Sequence, residues 1–220
     1  MAELKAVIFD LDGTLLDTLE DLTDSVNEAL CAYGRPVKTI RQIQTYVGNG
    51  IRNLMKRSVE GGEADPDFEH IFQAFRRSYQ ENCRNKTKPY DGITELLRTL
   101  ESDGKKMAIV SNKADFAVKE LNEYYFKEFG MTAIGERENI ARKPSPDTVL
   151  EALKELNVKP EEAVYIGDSE VDVETARNAK IPCISVLWGF REKDLLLSHG
   201  AEYFARRPDE VPGLLKNIPV

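Results

Sequence analysis

A short apolar run near the start of the chain, ending in acidic residues and a glycine, most constrains the fold. The run covers residues 6–9, and Asp10, Asp12 and Gly13 follow it within KAVIFDLDGTLL. Its length and boundaries predict a strand buried on both faces, as in a parallel sheet. Side chains alternate along a strand, so Asp10 and Asp12 leave it on the same side. They do so at the carboxyl end, where open α/β sheets bind ligands.

The two carboxylates have the residue types that phosphoryl transfer needs. A carboxylate such as Asp10 can attack phosphorus and form an acyl phosphate. Asp12 can protonate the leaving alkoxide, and Thr14 offers a hydroxyl and a backbone N–H to phosphoryl oxygens. The structural alternative is an acidic turn that simply follows a strand.

Composition and charge exclude several classes of protein. The chain has 220 residues and a net charge of −8, which argues against a nucleic-acid or anionic-membrane surface. An acidic protein that binds phosphate must supply local positive charge, from a metal ion or a placed lysine. Three scattered cysteines form no disulfide or zinc framework, and the acidic first twenty residues are unlike a secretory signal. The longest uncharged run, residues 181–190, is half a membrane span. We therefore expect a cytoplasmic protein.

The chain divides into two parts by pattern. Residues 17–83 show four amphipathic helices and no strand, which predicts an all-helical insertion. From residue 89 onward, strands and helices alternate, which predicts a parallel sheet with helices on both faces. The predicted fold is α/β, with a doubly wound, Rossmann-like core (residues 1–16 and 84–220) and an inserted helical domain (residues 17–83). The core elements are predicted as strands at 107–110, 163–166, 183–187 and 201–204, with helices starting at Asp91, Phe116, Ser145 and Asp209.

Two motifs after the second core strand carry candidate phosphate ligands. Ser111 and Asn112 follow Val110, where a hydroxyl and a backbone N–H can hold a phosphoryl oxygen. Taken alone, Ser-Asn is common turn chemistry. Lys143 precedes Pro144 and is a flexible point charge able to reach a phosphate, although a solvated surface lysine is the simpler interpretation of that residue alone.

A further acidic motif, GDSEVD, covers residues 167–172. Asp168 is predicted at the tip of a strand, and Asp172 lies one helical turn later on the same face. Carboxylates close to Asp10 would be hard oxygen ligands of the kind that Mg²⁺ prefers. The structural alternative is an acidic first turn that complements a helix dipole.

The order of these motifs resembles the haloacid dehalogenase-like superfamily, with a helical cap inserted after the first motif. The resemblance implies that Asp10 is the nucleophile and Asp12 the general acid/base. It also implies one site that binds the phosphoryl group and one that binds Mg²⁺. The candidate phosphate ligands are Thr14, Ser111, Asn112 and Lys143, and the candidate metal ligands are Asp10, Asp12, Asp168 and Asp172.

Within the superfamily, the chain is most similar to the bacterial phosphoglycolate phosphatases. The features are LLDTLEDL after the first motif, Val-Gly-Asn-Gly at 47–50, and Trp-Gly-Phe-Arg at 188–191. Gly50 opens a predicted helix whose N-terminus suits a small anion, and Arg52 or Arg57 on that helix could add positive charge. This resemblance implies hydrolysis of 2-phosphoglycolate. A flexible turn with surface arginines is the alternative interpretation.

Three other functions are the alternatives at this point. The nearest is a phosphosugar mutase of the same fold, but such a mutase would carry a cap histidine twelve residues after the nucleophile, where this chain has Leu22. A dehalogenase is disfavoured, because it would not need the second acid, Asp12. A metal-binding regulatory module would need no turnover. A phosphatase could also act on a phosphosugar, a nucleotide or pyrophosphate, and the chain could be a monomer or a dimer.

Overall fold

A six-stranded parallel sheet forms the centre of the larger unit, residues 1–16 and 89–220. The computed structural model describes residues 3–48 and 50–218. The strands are β1 (Ala6–Phe9), β4 (Lys106–Ala114), β5 (Thr132–Glu136), β6 (Ala163–Gly167), β7 (Cys183–Val186) and β8 (Tyr203–Ala205). Their order in the sheet is β5-β4-β1-β6-β7-β8, so the chain builds outward from β1 in one direction and then in the other. The predicted doubly wound sheet is confirmed.

Helices cover both faces of this sheet because β1 and its neighbours are apolar on both sides. The helices of this unit are α5 (Ile93–Ser102), α6 (Asp115–Tyr125), α7 (Asp147–Leu156), α8 (Glu170–Ala179), α9 (Lys193–Ser198) and α10 (Val211–Leu215). Val7 and Phe9 pack into a cluster with α5, α6 and α10, whereas Ala6 and Ile8 pack on the other face with α7 and α8. Short 3₁₀ turns lie at Lys127–Phe129, Pro160–Glu162 and Pro208–Glu210.

The smaller unit, Asp17–Lys88, is helical and has its own apolar core. Phe68, Phe72 and Phe75 of its last helix recur at helical spacing and contribute to that core. Its helices are α1 (Leu19–Ala32), α2 (Ile40–Tyr46), α3 (Gly50–Ser58) and α4 (Phe68–Asn82), with a 3₁₀ turn at Gly62–Ala64. Where the chain passes between the units, β2 (Leu16–Asp17) and β3 (Lys88–Pro89) form a two-stranded sheet.

The second boundary between the units falls after Lys88, beyond the position 83/84 at which the helical pattern ends. The reason is a buried carboxylate in the first turn of α1. Asp21 accepts hydrogen bonds from the backbone N–H of Lys86 at 3.0 Å and of Thr87 at 2.8 Å. These bonds attach residues 84–88 to the helical unit, and no apolar periodicity signals them.

Several element boundaries differ from the predicted ones. Gly92, not Asp91, precedes α5, and it has a φ of 88°. Pro146 occupies the N-cap of α7, so Ser145 lies outside the helix and its Oγ instead donates to Asp147 Oδ1 at 3.0 Å. β4 runs on to Ala114, and β8 begins at residue 203 rather than 201. Within residues 3–48 and 50–218, no helix combines the length and the apolar character that crossing a bilayer requires.

Candidate active site at the carboxyl edge of the sheet

Three carboxylates converge at the ends of β1 and β6. In the parallel register Phe9 pairs with Ile166, so Asp10 and Asp168 follow the two strands at neighbouring positions. Asp172 comes from the first turn of α8. One oxygen of each of the three carboxylates lies within 4.8 Å of the others, and all three residues are buried. β1 and β6 flank the switch point of the sheet, where open α/β folds place their ligands.

Asp172 is held from both sides. Its Oδ2 accepts hydrogen bonds from Ser169 Oγ at 2.6 Å and from Ser169 N at 3.0 Å, which completes a capping box on α8. Gly167 permits this approach, because a Cβ there would lie 2.4 Å from Asp172 Cβ. Oδ1 is thereby directed away from the helix, toward Lys143. The helix-cap interpretation of Asp172 and the site interpretation therefore both apply, each to a different oxygen.

Lys143 is buried at the centre of this cluster rather than solvated. Its Nζ lies 2.9 Å from Asp10 Oδ1, although that oxygen accepts no hydrogen bond of good angle, and 2.7 Å from Asp172 Oδ1. It also donates to the hydroxyl of Tyr165 at 2.9 Å and to the carbonyl of Val110 at 3.2 Å. Lys143 therefore brings fixed positive charge to two of the three carboxylates.

The electrostatics of the cluster follow from burial and excess negative charge. Burial, then Asp172, raises the pKa of Asp10 to about 7, with Lys143 opposing the rise. Burial and the two other carboxylates raise the pKa of Asp168 well above its ordinary range. Burial disfavours the charge on Lys143, yet Asp10 and Asp172 together raise the pKa of Lys143. Three carboxylates with one ammonium carry more negative charge than the site can balance, and their hard oxygens suit a divalent cation.

Asp12 and Thr14 occupy different surroundings from those predicted. Asp12 lies outside the three-carboxylate group, and its Oδ1 is 2.7 Å from Nζ of Lys113. The geometry therefore does not support the Asp12 side chain as a fourth metal ligand. Thr14 is fully buried, and its Oγ1 donates to Asp168 Oδ1 at 3.3 Å. Its hydroxyl is thus engaged with a carboxylate of the cluster.

The side chains of the Ser-Asn motif have different surroundings. Asn112 pairs with the backbone of Lys143, donating from Nδ2 to its carbonyl at 3.0 Å and accepting from its N–H at 2.8 Å. The side-chain amide of Asn112 therefore positions Lys143, and a role of the Asn112 backbone N–H in phosphate binding stays a prediction. Ser111 is buried, and its Oγ accepts from the N–H of Lys113 at 3.2 Å. That bond leaves the Ser111 hydroxyl proton available to a ligand.

Gly50 and Arg57 lie at opposite ends of α3 in the helical unit. Gly50 is the first residue of the helix and Arg57 belongs to the last turn, about 10 Å further along the axis. Arg57 Nη1 donates to the carbonyl of Tyr46 at 3.0 Å. The backbone positions of the two residues are therefore well separated along the helix, and an anion site shared by Gly50 and Arg57 stays a prediction. Asn49 of the same motif lies outside the described residues.

The sequence did not indicate the role of the loop at residues 188–190. The indole Nε1 of Trp188 donates to the carbonyl of Thr14 at 3.0 Å, and the N–H of Phe190 donates to Asp168 Oδ2 at 2.7 Å. Between them, Gly189 has no room for a side chain, since a Cβ would lie 2.3 Å from the carbonyl oxygen of Gly13. The Trp-Gly-Phe-Arg string was the available signal, but it contributed only to the family resemblance.

Tyr165 is a second site residue that the sequence did not reveal. It lies within an apolar strand, and its pattern predicted only a core position. Its hydroxyl donates to Asp172 Oδ1 at 3.0 Å and accepts from Lys143. Burial and the neighbouring carboxylates raise the pKa of Tyr165 well above its ordinary range, which keeps the hydroxyl proton in place.

Known proteins are similar in sequence to this chain over most of its length. The phosphoglycolate phosphatase of Aquifex aeolicus is 31% identical over 220 residues, covering 97% of this chain and 98% of the relative. That of Thiobacillus denitrificans is 34% identical over 192 residues, 85% of each chain. The N-acetylmuramic acid 6-phosphate phosphatase of Pseudomonas aeruginosa is 31% identical over 214 residues, 96% of this chain and 95% of the relative.

A solved structure extends the likeness to three dimensions. The crystal structure of a protein of Lactobacillus delbrueckii subsp. bulgaricus, provisionally named a phosphoglycolate phosphatase, superposes with a TM-score of 0.91. It is 33% identical and covers 97% of this chain and 98% of its own. The model of the haloacid dehalogenase-like hydrolases matches residues 7–186, from β1 to the end of β7. This chain belongs to the haloacid dehalogenase-like hydrolase family.

Proposed function

We propose that this protein is a Mg²⁺-dependent phosphatase of small phosphorylated metabolites that works through an aspartyl phosphate. The single observation that carries the proposal is the position of Asp10. Its carboxylate follows the central strand, contacts the ammonium of Lys143, and lies beside Asp168 and Asp172. A nucleophile, a fixed cation and a cluster of metal-ligating oxygens are the components that phosphoryl transfer requires.

The reaction needs two transfers. In the first, a carboxylate oxygen of Asp10 attacks phosphorus, the bond from phosphorus to the ester oxygen breaks, and Asp12 gives that oxygen a proton. In the second, Asp12 takes a proton from water, which attacks the phosphorus of the aspartyl phosphate and releases inorganic phosphate and free Asp10. Lys143 and the hydroxyl of Ser111 are assigned to the phosphoryl oxygens.

Asp10, Asp168 and Asp172 would hold the metal ion. When bound, Mg²⁺ neutralises charge on the phosphoryl group and orients it for attack. The fit rests on the three grouped carboxylates and their uncompensated charge. Thr14, Ser169 and Phe190 bond to Asp168 or Asp172 and would keep these two ligands in place.

We assign 2-phosphoglycolate as the substrate, because relatives named phosphoglycolate phosphatase align with nearly the whole chain. A second candidate is a phosphosugar, since the relative from Pseudomonas aeruginosa is named for N-acetylmuramic acid 6-phosphate. The deciding experiment measures phosphate release with Mg²⁺ from phosphoglycolate, phosphosugars, nucleotides and pyrophosphate side by side. A kcat/KM highest for phosphoglycolate supports the assignment. Isomerised phosphosugar without phosphate release would indicate a mutase instead.

Metal dependence gives a prediction with a defined pH profile. Chelation is expected to abolish turnover and Mg²⁺ to restore it, whereas Ca²⁺, with its looser coordination, should not. The pKa of Asp10 is raised to about 7. Between about pH 4 and 7 the folded protein therefore retains a proton on Asp10 that the unfolded chain releases, so the contribution of Asp10 to the stability of the metal-free protein falls as pH rises.

Mg²⁺ requires the ionised carboxylates, so it should raise the melting temperature little at about pH 5 and clearly at about pH 8. Melting curves with and without saturating Mg²⁺ at both pH values measure this. A Mg²⁺ effect that is equal at both, or full turnover in chelator, would contradict the proposed site.

We further propose that the helical unit acts as a cap that excludes bulk water during the first transfer, with hinges near Leu16–Asp17 and residues 82–88. Asp21 fixes the N–H groups of Lys86 and Thr87 to the helical unit, so bending of the second segment is expected at its carboxyl end, near Lys88. Hydrogen exchange across residues 17–88 is expected to slow when Mg²⁺ and orthovanadate, a mimic of the transition state, are added. Unchanged exchange throughout this range would contradict closure.

A further inference from the structure

Lys113 is a buried cation without a role in the reaction described above. Its side chain is only 3% exposed, and its Nζ lies 2.7 Å from Oδ1 of Asp12. Most other lysine ion pairs of the described chain involve exposed ammonium groups, such as those of Lys5 and Lys86. Burial of an ammonium group is costly unless a carboxylate compensates it. The Lys113–Asp12 pair therefore needs an explanation beyond surface electrostatics.

The lysine is the fixed member of this pair. Lys113 lies in β4, where its N–H donates to Ser111 Oγ at 3.2 Å. Its carbonyl is packed against β5, because a Cβ on Gly135 would lie 2.6 Å from that oxygen. The side chain of Asp12 is 15% exposed, five times more than that of its partner. The charged end that faces a ligand is thus the carboxylate, and the ammonium fixes it from the protein side.

We infer that Lys113 is a positioning residue that holds the carboxylate of Asp12 in the orientation needed for proton transfer. The inference rests on the proposed function, in which Asp12 serves the leaving oxygen and then water. An ion pair through Oδ1 restricts rotation of the carboxylate and so presents Oδ2 in one direction. A proton donor misplaced by about 1 Å loses much of its effect, so the rate depends on this restraint.

The test compares Lys113→Met with Lys106→Met, a matched control on the same strand. Lys106 starts β4 at the opposite edge of the sheet, where its Nζ donates to the carbonyl of Leu156. The measurement is a single turnover that follows phosphoryl transfer to Asp10, because the second transfer uses Asp12 with every ester. In this first step Lys113→Met is expected to slow transfer from an alkyl phosphate by about 10- to 100-fold, and from an aryl phosphate, whose leaving group needs little protonation, by less than about 3-fold. The substrate concentration for half-saturation should change little, and Lys106→Met should match the wild type.

Equal losses for both esters in the first transfer, or weaker substrate binding with an unchanged rate of transfer, would overturn the inference. The second result would make Lys113 a ligand of the substrate. In an Asp12→Asn background, Lys113→Met is expected to cause no further loss, because the group it positions is gone. This double variant also removes the unpaired charge, so it remains informative if Lys113→Met alone does not fold. Additive losses would show that Lys113 acts independently of Asp12.

The same assays separate this inference from the proposed function. Absence of phosphoryl transfer to Asp10 in the wild-type protein would contradict the proposed function. If the wild type transfers the phosphoryl group but the loss of rate in Lys113→Met does not depend on the leaving group, only the role of Lys113 is contradicted.

Discussion

Asp10→Asn is expected to abolish turnover of every phosphoester, lowering kcat by about 10⁴-fold or more. The substitution replaces the attacking oxygen by an amide and removes a candidate metal ligand at the same time. No phosphoenzyme should then form with any substrate, however good its leaving group. The measurement is a single turnover with ³²P-labelled substrate, quenched in acid, followed by detection of labelled protein.

Asp12→Asn is the matched control, because it keeps the nucleophile and the three grouped carboxylates. Its first step should be severely slowed with an alkyl phosphate and much less so with an aryl phosphate. Since Asp10 is also a candidate metal ligand, Mg²⁺ binding to Asp10→Asn should be measured separately by calorimetry. A labelled phosphoenzyme that persists in Asp10→Asn at saturating Mg²⁺ would assign the nucleophile to another residue.

The central arrangement of the site could be predicted because it depends on topology. Short apolar runs followed by acidic residues predicted β1 and β6, and parallel strands place their carboxyl ends at one edge. Asp10 and Asp168 therefore had to lie near each other once the strands were paired. The spacing in GDSEVD added Asp172, because one helical turn returns its side chain to the same face.

Contacts between distant segments could not be predicted in the same way. The pattern around Lys143 is that of a surface lysine before a proline, whereas its burial comes from the amide of Asn112, which lies 31 positions earlier in the chain. The contact of Trp188 with Thr14 spans 174 positions. The sequence placed Arg57 in the last turn of a helix but could not show which group its side chain contacts, and that group is the carbonyl of Tyr46.

Gly189→Ala is expected to damage both the fold and the candidate metal site. The added Cβ would lie 2.3 Å from both Gly13 O and Asp168 Cβ. The first is a backbone atom in the turn after Asp12, so the loop rather than a flexible side chain must move. We expect a loss of about 1–3 kcal/mol in the free energy of unfolding. Displacement of the Phe190 N–H from Asp168 should weaken Mg²⁺ binding by about 10- to 100-fold.

Gly213→Ala is the control for this substitution, because a Cβ at Gly213 in α10 meets no atom within 4 Å. It should leave Mg²⁺ binding unchanged and stabilise the helix by up to about 1 kcal/mol. Denaturant unfolding and Mg²⁺ titration of both variants separate two consequences of the clash. If Gly189→Ala loses stability but binds Mg²⁺ as the wild type does, the loop supports only the fold. If binding falls as well, the N–H of Phe190 positions Asp168 as a metal ligand, and the Trp-Gly-Phe string belongs to the active site.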